Sequence, residues 1–150
     1  MNWTRDKSLL LSLFCTGFFA AALLVLDVGV WWFARRFFVE YRGDPQQYAV
    51  FTVISVYLCS VPGWLTLASL WRLLTELRQG RVFTQENVRL LRRVSWCCAI
   101  VTPLTAINAV YYLPYLFIAV AEGFMALIVR IVKNAFQEAA AMRSELDLTI

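Results

Sequence analysis

Val94–Val129 reads "VSWCCAIVTPLTAINAVYYLPYLFIAVAEGFMALIV", a run whose only charged residue is Glu122. As one helix it would extend about 54 Å at ~1.5 Å per residue, far beyond a bilayer core of ~30 Å. It must therefore fold back on itself. Pro114 marks the corner, because proline disfavours helix in the residue before it, and the flanking Tyr111, Tyr112 and Tyr115 suit the lipid headgroup level. This corner turns three apolar runs into four spans.

Working outward, Ser8–Leu26 and Pro45–Trp71 are also uncharged and about long enough to cross. The spans are expected at roughly 8–34, 48–71, 94–113 and 115–132. A hydrophobic share of 61%, with charges held in a few clusters, places the chain among polytopic membrane proteins and leaves little for a soluble domain. The expected fold is all-α, a four-helix transmembrane bundle in a single membrane domain. Helices 2, 3 and 4 project into the cytoplasm, forming an elbow over 72–93 and a C-terminal helix and tail over 133–150.

Orientation follows from Lys and Arg. Arg5, Lys7, Arg72, Arg78, Arg81, Arg89, Arg92, Arg93, Arg130, Lys133 and Arg143 fall on one side, against Arg35, Arg36 and Arg42 on the other, so both termini are expected in the cytoplasm. The same bias accounts for the net charge of +4, and direct nucleic-acid binding is disfavoured. Arg5 and Lys7 before an apolar core imitate a secretory signal. Ala20-Ala21-Ala22, however, lies inside that run rather than after it, so an uncleaved anchor is expected.

Cys15, Cys59, Cys97 and Cys98 all fall in predicted spans, where a thiol packs as a small apolar group, and the chain has no histidine. That argues against a zinc site, a histidine-ligated haem and a histidine triad. Without an aqueous cysteine or a suitably spaced carboxylate pair, no acid, base and nucleophile can be assembled, so neither enzyme activity nor a cofactor is expected.

The elbow is more specific. Leu70, Leu73, Leu74 and Leu77 carry the second helix past the membrane on one apolar face, and Gly80 supplies the permissive conformation that closes it. Thr84 is the expected N-cap of a helix running from Gln85 into the third span, with Glu86 at the positive end of its dipole. Asn87 stands where a capping box would have Glu or Gln. Arg89, Arg92 and Arg93 then form one basic stripe, read either as an anchor to anionic lipids or as a docking surface for a cytosolic partner. In the fourth helix Val132, Ala135, Ala139, Met142 and Leu146 keep a/d-like spacing, expected to pack on the elbow helices or to capture another protein's helix.

"GRVFTQENVRLLRRVSW" and the terminal "AFQEAAAMRSELDLTI" together resemble the bacterial membrane-protein family catalogued as domain of unknown function 2975, with its G-x-x-F-T-x-E-N-V-like elbow and D-L-T-[IV] end. The resemblance is carried by Gly80, Phe83, Thr84, Glu86 and Asn87, and by Asp147, Leu148 and Thr149. It implies a four-span protein of the bacterial inner membrane with no established reaction. It also implies a cytosolic partner, since relatives occur beside a small helix-turn-helix regulator of the Xre type.

Within the membrane, Glu122 stands eight residues beyond Pro114, about 12 Å along a helix and near mid-depth, where an ionised carboxylate is expensive. Asn108, six residues before Pro114, is expected at a similar depth, so the hairpin places an amide opposite the acid. One reading makes Glu122 neutral and hydrogen-bonded to Asn108 or Thr105, fixing helix register; the other makes it a cation or proton site. Asp27 is weaker, being close to the outer interface. Two functions follow: an interaction or regulatory protein working through the elbow residues Arg81, Phe83, Thr84, Glu86, Asn87, Arg89, Arg92 and Arg93 and the C-terminal helix, or a small homo-oligomeric channel or transporter centred on Glu122.

Overall fold

A computed structural model describes residues 3–43 and 45–148, with side chains over 7–43 and 45–145. Four long helices follow one another: α1 (Trp3–Ala34), α2 (Gln46–Arg78), α3 (Gln85–Asn108) and α4 (Pro114–Leu148). All four contain segments long and apolar enough to cross a membrane. Their outer faces demand an apolar medium: Phe14, Val28, Phe117 and Ile131 are all exposed. Soluble proteins rarely show so much contiguous apolar surface. This is the construction of a multi-pass membrane protein.

Packing follows chain order. Helix α1 lies against α2, α2 against α3 and α3 against α4, while α1 and α4 make no close contact among the described residues. The expected bundle is therefore open along one side. Helices α2, α3 and α4 continue past their apolar stretches as anticipated, but α3 ends at Asn108, five residues short of the expected 113. The Asn108 side chain donates to the carbonyl of Leu104 at 3.2 Å, and Tyr111 and Tyr112 return backbone hydrogen bonds to its own carbonyl, so residues 109–113 form the turn. Pro114 opens α4, where a missing backbone donor costs nothing. Pro62 and Pro103 are accommodated inside α2 and α3.

The α-helical part of α1 ends at the expected residue 34, but the coil does not unwind there. It continues as a π-helical turn, Arg35–Tyr41, closed by the backbone N–H of Arg42 on the carbonyl of Phe37 at 3.1 Å. The wider turn accompanies Phe38 in its seat, 2% exposed, beside Ala34 and Ala49 and among Tyr111, Tyr112 and Tyr115. Arg42 caps this cluster, its guanidinium 5.1 Å from the Tyr112 ring centre. Aromatic packing thus closes the end of the molecule where both hairpin turns lie.

At the opposite end the elbow is built from local signals. Gly80 adopts φ +79°, with the Arg81 N–H on the carbonyl of Glu76 and the Gly80 N–H on that of Leu77, both at 3.1 Å. This is a Schellman closure, satisfying carbonyls that the end of α2 would leave bare. Thr84 caps α3 by accepting from the Asn87 N–H at 3.3 Å, as its spacing predicts.

Candidate functional site

Two polar regions remain once the packing is assigned: a cleft within the helices and a basic crown around the elbow. The cleft, about 280 Å³, is bounded by all four helices, with Leu23 and Leu26 of α1, Ser55 and Cys59 of α2, Thr105 of α3 and Glu122 of α4 in its walls. It exists because α1 and α4 stand apart. The Glu122 carboxyl lies beside Thr105, with the Cys59 and Cys98 thiols nearby, and among the described residues its buried Oε2 has no hydrogen-bond partner and no Lys or Arg lines the cleft.

Asn108 shares this cleft but does not face the acid as expected. Its Oδ1 accepts from Ser55 Oγ at 2.9 Å and from the Tyr111 hydroxyl, which in turn shares a 3.2 Å hydrogen bond with Thr52. The reason is register. Gly123 approaches Thr102, and the Ser95 hydroxyl donates to the Ala126 carbonyl at 3.3 Å, so Glu122 is level with residues 102–105, roughly a turn before the end of α3 where Asn108 sits. Thr105 meets Glu122, and Asn108 ties α2 to the turn.

Asp27 is likewise committed. Its carboxylate accepts from Ser60 Oγ and from Trp64 Nε1, the latter at 3.0 Å, and its backbone carbonyl accepts from the Tyr57 hydroxyl at 3.1 Å. All three donors belong to α2, making Asp27 the polar pin between the first two helices. Sequence reasoning missed these partners, although Thr52, Ser55, Cys59 and Ser60 recur at helical spacing and mark one polar face of α2.

The crown divides the elbow residues by role. Asn87, expected at the contact surface, is instead fully buried: its Nδ2 donates to the carbonyls of Arg81 and Val82 at 2.8 and 2.7 Å. It holds the incoming chain from inside. Arg81 pairs with Glu76 at 3.0 Å and braces the turn, while Phe83 packs on Phe136 of α4 with ring centres 5.4 Å apart. Glu86, Arg89, Arg92 and Arg93 are exposed. Arg92 lies with Arg130 and Lys133 of α4 along one groove, which Arg89 and Arg93 do not line.

Helix α4 packs on the elbow, but not through the expected stripe. Ala140 is buried there and Lys133, Phe136 and Ala139 are half-buried, so of the expected stripe only Ala139 joins the contact face, whereas Val132, Ala135 and Met142 are exposed. The contact face is displaced because Phe136 must reach Phe83, and Ala140 with Arg143 and Ser144 lies along Gly80–Gln85. Of the remaining C-terminal candidates, the side chains of Leu146, Asp147 and Leu148, and the whole of Thr149, lie outside the described residues.

Comparison with curated proteins and with solved structures finds no match. A family model does match, over residues 9–150, and thus covers both the cleft and the crown. The chain belongs to the family described as "Protein of unknown function (DUF2975)".

Proposed function

We propose that this protein is a non-enzymatic interaction protein of the bacterial inner membrane, with both termini cytoplasmic. Its crown sequesters or signals to a cytosolic helix-turn-helix regulator. The observation that carries this reading is the set of contacts that braces the elbow. Schellman closure, the Asn87 pin and the Phe83–Phe136 contact hold a short connection in one shape, leaving Arg89 and Arg93 exposed on a fixed helix. A positive-inside anchor needs charge alone; a docking surface needs charge held in place.

The test is crosslinking in cells, extraction in mild detergent and identification of captured proteins by mass spectrometry. A helix-turn-helix protein should be recovered with the wild type and reduced about tenfold or more in Arg89→Gln/Arg93→Gln, in keeping with the loss of two interfacial charges. Equal recovery from the variant would remove the elbow from the interaction.

A second reading rests on Glu122 Oε2, a buried acceptor with no partner among the described residues, in a cleft bordered by all four helices. Such a carboxylate suits a proton or small cation pathway in a homo-oligomer. In proteoliposomes containing a pH-sensitive dye, this reading expects proton flux that Glu122→Gln abolishes while sparing partner capture. Flux unchanged by Glu122→Gln would leave the acid a structural role.

A further inference from the structure

Arg92, Ser95, Trp96 and Ala99 occupy one face of α3 at i, i+3, i+4 and i+7, and Arg130 and Lys133 meet them from α4. Between the helices they line a groove of about 160 Å³, braced by the Ser95–Ala126 hydrogen bond. None of the three cations has a carboxylate within ion-pair distance among the described residues. Like charges gathered without a counter-ion repel one another, and an anion entering the groove relieves that repulsion.

The depth of the groove identifies the anion. Arg130 follows Pro114, and Arg92 precedes Asn108, by the same sixteen residues, about 24 Å of helix at ~1.5 Å per residue. Arg92 and Arg130 are therefore level with each other, close to a bilayer-core thickness from the tyrosine-rich turn. Trp96, 66% exposed, stands one turn deeper on the membrane-facing side, where indole rings favour the interface.

We propose that this groove binds the phosphate headgroup of an anionic membrane lipid. Arg92 and Arg130 supply planar donors to the phosphate oxygens, Lys133 adds a third charge, the Ser95 hydroxyl lies within the same walls, and Trp96 lies along the glycerol and upper acyl chain. Basic pockets between membrane helices bind lipid headgroups by this chemistry. The site rests on the reading that α3 and α4 span a bilayer with the elbow at its inner surface, and it requires no protein partner.

The full-length protein is reconstituted in phosphatidylcholine liposomes containing a minor share of phosphatidylglycerol or cardiolipin. Only protein that resists alkaline extraction is carried forward, so a failure to insert is recorded separately. Native mass spectrometry then counts retained lipid. Wild type should keep an anionic lipid, and Arg92→Gln/Arg130→Gln/Lys133→Gln should lose it by about a hundredfold, whereas Arg89→Gln/Arg93→Gln should retain it. Arg130→Gln alone leaves the elbow untouched and should show a partial loss, which keeps the assignment testable where the triple variant does not insert. Equal losses in the triple and the Arg89/Arg93 variants would mean diffuse surface attraction and overturn the site. Binding of inorganic phosphate without lipid retention would assign the groove to a soluble anion and overturn the lipid as its ligand.

Discussion

Asn87→Asp is expected to open the elbow while leaving the helices in the membrane. Asn87 is fully buried, and its amide donates to two carbonyls of the connecting chain, those of Arg81 and Val82. Aspartate has the same shape but no donor when ionised, so it would set negative charge against two carbonyl oxygens. Asn87→Ala removes the same two bonds without that repulsion and should cost about 2–3 kcal/mol, the net worth of two buried hydrogen bonds with some unpaired acceptor penalty. The aspartate variant should exceed it. Hydrogen exchange in detergent micelles reads this directly: amides in the elbow should exchange faster in the order wild type, Ala, Asp, with those in the middle of α2 and α3 unchanged. An aspartate variant that exchanges like wild type would refute the inward role of Asn87. The same substitution should weaken partner capture although Arg89 and Arg93 are intact, because it removes the fixed geometry rather than the charge.

The second large effect is expected at Asp27. Only 6% of the residues in the strongly apolar stretch of α1 are buried, and α1 packs closely against α2 alone among the other three long helices. The Asp27 carboxylate, accepting from Ser60 and Trp64, adds a polar tie to that contact. Asp27→Ala should loosen α1 from α2 by about 1–2 kcal/mol, roughly a five- to thirtyfold fall in the ratio of docked to undocked α1. Leu23 lies against Gly63, so Leu23→Cys with Gly63→Cys gives a crosslinking pair once the four native cysteines are replaced by serine. Oxidation should trap this pair readily in the Asp27 background and several-fold more slowly with Asp27→Ala. Asp27→Asn keeps an acceptor for Ser60 but offers Trp64 an amide donor, so its effect should be intermediate. Unchanged trapping in Asp27→Ala would show that the apolar contacts suffice.

These two residues illustrate what was legible in the chain and what was not. The elbow's location followed from Gly80, Thr84 and the leucine spacing, because a helix end is decided by a few neighbouring backbone groups. The corner at Pro114 followed from length and from proline's local sterics. Asn87 could be seen as a departure from a capping box, yet nothing local said that its amide would turn back to Arg81 and Val82. Asp27 looked peripheral because its donors stand more than thirty positions away on another helix.

The two candidate sites divide in the same way. Sequence alone singled out Glu122 by its isolation in an apolar run and the arginines by their clustering. It misplaced Asn108, whose depth depends on how many residues the turn consumes, and it displaced the contact face of α4. In a soluble helix the apolar stripe marks the buried face, because water rejects it. In a membrane helix lipid accepts every apolar face equally, and burial is chosen by close packing and by polar side chains that find partners. Local signals in the chain were therefore enough to locate the helix ends and turns, the number of apolar helices and the lone acid within them. Which way those helices face came from packing over long separations, which brings Arg92 to Arg130 and Lys133 and Phe136 to Phe83, and sets α1 and α4 apart around the cleft that holds Glu122.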